Sequence, residues 1–314
     1  MTSAAPASRL VMGTAQLGMR YGITNTTSLN QLEKQELLAA ALAGGIETID
    51  TARAYGDSEA TIGEFLQGRR NETCRIVTKL SPLSELAPNA SRDEIYQNVM
   101  ASITSSRQAL GCAQLDTLLL HRALHLTAWN GAIWQILCEL AAQKVIGKIG
   151  VSVQSPAELL LALQYPEVAH IQLPYNILDW RWDDAPTALR RVRNRRPLAI
   201  HVRSVLLQGL LTTEERAKWA HAGMKQPDPI RTWLDTTTRA FGRKNIADLC
   251  IAYVIAQDWI DGLVIGIDNL QQLGVNLDLI AQPPLDEKQL QFLSIGRPRV
   301  PETVLDPAQW RSSK

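Results

Sequence analysis

The feature that most constrains the fold is an alternation of short apolar runs with longer amphipathic stretches along the 314-residue chain. The runs are rich in Ile, Val and Leu without polar alternation, which is typical of strands buried on both faces. The longer stretches carry apolar residues at helical spacing. A strand followed by a helix, many times over, predicts parallel strands joined by right-handed crossovers.

About eight such units can be counted, and they predict a single-domain (β/α)8 TIM barrel over residues 1–314. The predicted strands are Leu10–Gly13, Thr48–Asp50, Arg75–Lys79, Thr117–His121, Ile149–Ser152, Ile171–Leu173, Leu198–Val202 and Leu263–Ile265. The predicted helices include Asn30–Ala43, Ser91–Leu110, Ala128–Gln143, Ser155–Gln164, Pro186–Arg193, Asn245–Gln257 and Asn269–Leu279, and another opens at Ser58. The rival fold is a doubly wound open sheet, but no G-x-G-x-x-G pattern follows the first strand.

Two segments lie outside this repeat. Residues 212–243 form an insertion between the seventh strand and its helix, and residues 283–314 form a proline-rich C-terminal tail. In a barrel, both segments have the length to reach the face where the strands end.

Bulk properties exclude several classes of function. The formal net charge is only +1, which gives no reason to expect binding to nucleic acid or to a membrane surface. No run of about 20 apolar residues is present, and the N-terminus lacks the pattern of a signal peptide. The four cysteines have neither disulfide nor zinc spacing. These properties favour a cytoplasmic protein with reduced thiols.

Polar residues follow three consecutive predicted strands. Asp50 ends the second strand with Tyr55 in the loop after it, Lys79 ends the third, and His121 ends the fourth. Strand C-termini of a barrel meet on one face, so these side chains are predicted to converge. An ammonium held by a carboxylate makes a nearby phenol a better acid, which suits proton donation to a carbonyl oxygen. Singly, each residue also fits a structural role as an ion pair, a core histidine or a loop tyrosine.

Three segments resemble the catalytic segments of the aldo-keto reductase superfamily: GIETIDTARAYGDSEATIG at 45–63, IVTKL at 76–80 and TLLLHR at 117–122. The resemblance implies a barrel, a nicotinamide cofactor, and a catalytic tetrad of Asp50, Tyr55, Lys79 and His121. Tyr55 would be the acid in reduction and the base in oxidation.

The resemblance also implies a set of dinucleotide positions. Gly13 and Thr14 would lie near the nicotinamide ribose, and Ser152 and Gln172 near the carboxamide. Arg203 stands where an aromatic residue usually stacks on the nicotinamide. The remaining implied positions are Ser204 and Leu206 along the pyrophosphate and, in the last segment, Gly266, Gln272 and Asn276.

The last of these segments departs from the family pattern. Many members carry Lys and Arg for the 2′-phosphate of NADP at the positions of Gly266 and Gln272, and Asp268 would repel a phosphate placed close to it. Val153 stands in place of an asparagine, and Val275 in place of an acid that often meets the adenine. The family default is NADP(H), with NAD(H) as the alternative.

The substrate is predicted to be a small carbonyl compound or the corresponding alcohol. Polar residues near the predicted site mouth favour a sugar or a sugar-derived or secondary-metabolite carbonyl, with a general aldehyde as the alternative; they are Gln16, Arg20, Tyr21 and Asn25. Two other functions stay open: an acid/base lyase or epimerase with a weakened or recycled cofactor, and a regulatory subunit resembling the potassium-channel β subunits. No sequence pattern indicates the oligomeric state.

Overall fold

The predicted (β/α)8 barrel is confirmed by a computed structural model that describes residues 6–19, 29–67, 69 and 74–310. Eight parallel strands, β1 to β8, close into one barrel in sequence order. They are Leu10–Gly13, Thr48–Asp50, Arg75–Lys79, Leu115–Leu120, Ile146–Ser152, His170–Pro174, Ala199–Arg203 and Gly262–Gly266. The apolar strand residues are almost all buried, which accounts for runs without polar alternation.

The strand register brings the polar strand ends together. Gly13 of β1 pairs with Asp50 of β2 on one side and with Gly266 of β8 on the other. On β6, Gln172 pairs with Ser152 of β5. These five residues therefore lie at one end of the barrel, where parallel strands place functional groups.

Thirteen helices, α1 to α13, are assigned in the described residues. They are Ala15–Gly18, Gln31–Ala43, Ser58–Leu66, Arg92–Leu110, Ala132–Ala142, Pro156–Ala162, Ala185–Arg193, Arg216–His221, Asp228–Ala240, Ile246–Ile255, Leu270–Ile280, Glu287–Gly296 and Glu302–Leu305. Local capping explains several of the starts. Ser91 and Glu94 form the predicted capping box of α4, and Asn30 caps α2 in the same way.

Two predicted boundaries around β4 were wrong. Strand β4 ends at Leu120, so His121 is the first residue after it. Helix α5 begins at Ala132 instead of Ala128, because Trp129, Asn130 and Gly131 have left-handed backbone angles that no helix can include.

The insertion and the tail are both partly helical. The insertion carries α8 and α9, and the tail carries α12 and α13. The tail returns to the barrel: the indole nitrogen of Trp180 donates to the Val300 carbonyl at 3.0 Å, and Val304 and Leu305 are buried. Among the described helices, none is long and apolar enough to cross a membrane.

Candidate active site

Asp50 and Lys79 form a buried ion pair at the ends of β2 and β3. Lys79 Nζ lies 2.7 Å from Asp50 Oδ1 and donates to the Thr51 carbonyl at 2.9 Å. The two side chains are only 4% and 2% exposed. Burial opposes the charge on Lys79, but the Asp50 carboxylate and the nearby Tyr55 raise the pKa of the ammonium above its ordinary value. Lys79 is therefore a fixed cation.

Tyr55 and His121 complete a cluster around this cation. Lys79 Nζ lies 5.2 Å from the centre of the Tyr55 ring. The rings of Tyr55 and His121 meet edge to face, with centroids 6.1 Å apart. The structure thus brings the four predicted catalytic residues into one group of contacts.

His121 is held in its neutral form. Burial, followed by the positive charges of Lys79 and Arg203, lowers the pKa of His121 to about 4. At neutral pH the imidazole therefore offers one N–H donor and one acceptor nitrogen. A neutral ring can donate a hydrogen bond to a substrate oxygen without adding a second charge beside Lys79.

A hydroxyl network that the sequence did not predict supports the strand end that carries Asp50. Ser58 Oγ donates to Thr14 Oγ1 at 2.8 Å, and the Ser58 and Thr51 hydroxyls lie 3.0 Å apart. Thr14 Oγ1 in turn donates to the Asp50 carbonyl at 2.9 Å. The Thr14 hydroxyl, which was predicted to serve the cofactor, is therefore engaged in fixing the loop between Asp50 and Ser58.

Glu59 is a second supporting residue that the sequence did not reveal. Its side chain is fully buried and accepts from Thr78 Oγ1 at 2.6 Å and from Arg53 Nη1 at 2.5 Å. Arg53 belongs to the loop that carries Tyr55, so Glu59 ties that loop to β3. The only signal was a glutamate directly after a helix-opening serine, a pattern that also fits a solvent-exposed first turn.

Gln172 contacts the tetrad directly. Its Nε2 donates to Asp50 Oδ2 at 2.6 Å, so both carboxylate oxygens of Asp50 accept a hydrogen bond. Its Oε1 is buried and has no hydrogen-bond partner among the residues that the structure describes. A buried acceptor without a donor is costly.

A cavity of about 560 Å³ opens beside the tetrad and runs to the start of α11. Asp50 and Tyr55 line its inner end. The predicted cofactor positions that line it are Gly13, Thr14, Arg203, Ser204, Leu206, Gly266, Gln272 and Asn276. The other two, Ser152 and Gln172, do not line it and are buried at the ends of β5 and β6.

The loop after β7 forms one wall of this cavity and has an unusual backbone. Ser204, Leu207 and Gln208 have φ values of 61°, 49° and 53°. Left-handed angles at residues other than glycine cost about 1–3 kcal/mol each and cluster at ligand-binding sites. The strained backbone of this loop is therefore consistent with a ligand-binding wall.

The far end of the cavity lacks the cations that many family members place there. Asp268 and Gln272 bond to each other, with Gln272 Nε2 3.1 Å from Asp268 Oδ2. A side chain added at Gly266 would meet Gln16 Nε2 at 1.9 Å, so Gln16 occupies the space that a lysine would need. Among the described residues lining the cavity, Arg203 is the only cation.

The predicted mouth residues are only partly visible. Gln16 lies inside the cavity, against Gly266. Arg20, Tyr21 and Asn25 lie outside the described residues.

The carbonyl of Tyr55 packs against Gly18, and this contact gives a prediction. A Cβ added at Gly18 would lie 1.7 Å from Tyr55 O, so Gly18→Ala must displace the tyrosine loop. We expect kcat/KM to fall about tenfold or more, since small misplacements of catalytic groups are expensive. Steady-state kinetics with any carbonyl that the wild type reduces provides the measurement.

Gly274→Ala is the matched control. Gly274 lies within α11 with nothing within 4 Å of an added Cβ. The substitution should leave kcat/KM unchanged and raise the free energy of unfolding by about 1 kcal/mol. Equal kinetics for Gly18→Ala and the control would contradict the positioning role of this contact.

Two further histidines lie in the barrel on β6 and β7 and predict a pH dependence of stability. The His170 and His201 rings are 4.2 Å apart. Their buried nitrogens His170 Nε2 and His201 Nδ1 have no hydrogen-bond partner within the described part of the chain. Burial lowers the pKa of His201 to about 4. Burial, followed by the neighbouring His201 and then by Lys148 and Lys79, also lowers the pKa of His170.

Between pH 6.5 and 4 the unfolded chain binds protons that the folded His201 refuses, so stability should fall as the pH falls through this window. From pH 7 to 4.5, His201 alone accounts for about 2–3 kcal/mol of the free energy of unfolding. Urea titrations at pH 7 and pH 4.5 measure how far the free energy of unfolding falls between the two pH values. The fall in His201→Gln should be smaller than that in the wild type by this amount. An identical fall in the variant would contradict the assignment.

The sequence matches the model of a known protein family. The sequence model of the aldo/keto reductase family matches residues 9–294. The chain is similar to the aldo-keto reductase str7 of Strobilurus tenacellus, with 28% identity over 210 residues that make up 66% of this chain and 59% of that protein. The match thus spans less than two thirds of the length of that relative.

Two more similarities cover larger shares. The NADH-specific methylglyoxal reductase of Escherichia coli is 24% identical over 273 residues, 74% of this chain and 80% of that protein. The solved aldo-keto reductase of Bacillus halodurans in its holo form aligns over 91% of each chain with a TM-score of 0.71 and 19% identity. At this identity the solved structure supports the fold alone.

Proposed function

This chain belongs to the aldo/keto reductase family of NAD(P)-dependent oxidoreductases, and we propose that it reduces a small aldehyde or ketone to the alcohol. The observation that supports this most is the contact of Lys79 with both Asp50 and Tyr55 at the inner end of a long cavity. The acid/base groups and the space for a dinucleotide thus adjoin each other.

The residues present fit a nicotinamide dinucleotide. Gly13 and Gly266 line the cavity near Asp50 and Tyr55, where the nicotinamide ribose would lie. The buried Gln172 would act through its hydrogen bond to Asp50. Ser204 and Leu206 line the path towards α11. When bound, such a cofactor supplies the hydride that reaches the carbonyl carbon.

The chain supplies the proton. Tyr55 donates its phenolic proton to the carbonyl oxygen as the hydride arrives. Lys79 stabilises the phenolate that results, and Asp50 holds Lys79 in place by accepting from its ammonium. In the reverse direction the same phenolate accepts the proton of the alcohol.

His121 orients the substrate. Its ring meets that of Tyr55, and it is neutral at physiological pH because of burial and of the cations beside it, which lower its pKa to about 4. A neutral N–H donor aimed at the carbonyl oxygen places that oxygen near the phenol. It also polarises the carbonyl without competing for the proton.

The substrate is a small polar carbonyl in this proposal. The polar side chain of Gln16 inside the cavity supports this class, as does similarity to a methylglyoxal reductase. Methylglyoxal and short sugar aldehydes are the first compounds to assay.

The cofactor is NADH in preference to NADPH in this proposal. A 2′-phosphate at the far end would approach Asp268, and no lysine or arginine of the described residues lines that end. Like charges that are close and partly desolvated repel by about 1 kcal/mol or more. Fluorescence titration should therefore show saturable binding of both reduced cofactors, with NADH about tenfold tighter.

Asp268→Arg provides the matched variant and should reverse the preference, because it places a cation where the acid now stands. No saturable change with either reduced cofactor would contradict the proposed function. Tighter binding of NADPH by the wild type would contradict the assigned preference alone.

A further inference from the structure

Arg203 occupies the inner end of the cavity in a fixed orientation. It ends β7, and its Nη2 donates to the Val153 carbonyl at 3.5 Å and to Gln154 Oε1. Both partners belong to the loop after β5. Because β6 lies between β5 and β7 in the barrel, the guanidinium crosses the end of β6, where Gln172 lies.

The orientation of this side chain is supported from outside the cavity. Gln154, whose Oε1 accepts from Arg203, donates through Nε2 to Asp306 Oδ1 of the C-terminal tail at 3.4 Å. The tail thereby braces the residue that holds the guanidinium. Such bracing is expected where the position of a charge matters.

Arg203 gives the inner end of the cavity a net positive charge. It interacts electrostatically with both Lys79 and His121. Lys79 is paired with Asp50, and His121 is neutral, whereas Arg203 takes part in none of the salt bridges between described residues. A partly buried charge of this kind is only weakly screened by salt.

We propose that Arg203 makes the site discriminate against the oxidised form of the nicotinamide cofactor, an inference that rests on the proposed function. Arg203 and Tyr55 line the same end of the cavity, so a ring that reacts next to Tyr55 is also close to the guanidinium. The oxidised ring carries a positive charge and the reduced ring does not. Only the oxidised form is repelled.

The electronic structure of the reduced ring also favours binding of the reduced cofactor over the oxidised one. A dihydropyridine is electron-rich, and a guanidinium is attracted to electron-rich planar groups. The ratio of the dissociation constants of the oxidised and reduced cofactors is therefore expected to be high. The oxidised product then leaves readily, and the site favours carbonyl reduction over alcohol oxidation.

This ratio is measurable without turnover. The wild type, Arg203→Gln and Arg203→Lys are titrated separately with NADH and with NAD⁺ and followed by protein fluorescence. Removing the charge should lower the ratio of the two dissociation constants by about tenfold or more. A tenfold change corresponds to about 30 mV in the two-electron potential of the bound couple, the reduced form being the one favoured in the wild type.

Two variants serve as controls. Arg203→Lys keeps the charge and should keep the ratio within about threefold of the wild type. Arg190→Gln removes an exposed arginine that pairs with Asp258 and should leave both dissociation constants unchanged.

The outcomes separate this inference from the proposed function. An unchanged ratio in Arg203→Gln, with both nucleotides still bound, would overturn the inference and leave the reductase proposal standing. Absence of saturable binding by the wild type would overturn both. A third outcome for Arg203→Gln is a higher KM for pyruvate but not for methylglyoxal, with the ratio of the two cofactor dissociation constants unchanged. This result would show that Arg203 binds a substrate carboxylate and would also overturn the inference.

Discussion

Tyr55→Phe is expected to lower kcat for carbonyl reduction by about 100-fold or more, the usual effect of removing a general acid. The phenylalanine ring keeps the contacts with Lys79 and His121, so the architecture of the site should survive. The dissociation constant of the reduced cofactor should therefore change by no more than about twofold. Steady-state kinetics and a binding titration on the same preparation give the two numbers.

Tyr96→Phe is the matched control, because Tyr96 is an exposed residue of α4. It should retain the wild-type kcat. Carbonyl reduction at the wild-type rate by Tyr55→Phe would refute the role of Tyr55 as proton donor. A loss of kcat accompanied by a large loss of cofactor affinity would point to a damaged site.

The second large effect is expected from Lys79→Met. Asp50 would be left buried without its cation, while the hydrogen bond from Gln172 Nε2 would remain. Breaking a buried ion pair by removing one partner costs about 3–5 kcal/mol in the free energy of unfolding. Urea denaturation at pH 7 measures this loss, and turnover should fall as in Tyr55→Phe.

The double variant Asp50→Asn/Lys79→Met tests whether the buried charge is the cause. Replacing the stranded carboxylate by an amide should restore about 2 kcal/mol or more of the stability lost in the single variant, with activity still absent. A loss below about 1 kcal/mol in Lys79→Met would match an exposed ion pair. That result would contradict the burial of the Asp50–Lys79 pair.

The barrel and the position of its polar strand ends could be predicted because they depend on periodicity. Runs buried on both faces have a recognisable composition, and a polar residue directly after such a run must lie at a strand end. This rule placed Asp50 and Lys79 at the ends of β2 and β3. Their proximity is then expected because β2 and β3 are neighbouring strands.

Contacts between loops far apart in the sequence could not be predicted. Ser58 and Thr14 are 44 positions apart, and their bond depends on how two loops fold over the strand ends. The same holds for Gln154 and Arg203, since nothing near either residue indicates the other. The left-handed Trp129 and Asn130 also lack a local signal, which explains the misplaced start of α5.

The cofactor positions could be predicted from the sequence only in part. Family resemblance named Gly266 and Gln272, and both line the cavity, but only the structure reveals their partners. Gln16 fills the space beside Gly266, and Asp268 holds Gln272. The residue types at these positions left the choice of cofactor open, whereas the partners argue for NADH.

In the proposed reaction, a hydride is transferred to a carbonyl carbon while Tyr55 supplies the proton. The test uses reduced cofactor in which both hydrogens on the reactive nicotinamide carbon are deuterium, incubated with the wild type and methylglyoxal or a sugar aldehyde. Hydride transfer to the carbonyl predicts one deuterium on the carbinol carbon of the alcohol, with oxidised cofactor formed in equal amount. An eliminated or epimerised product without deuterium and without net oxidation of the cofactor would contradict it and would identify an acid/base enzyme on the same tetrad.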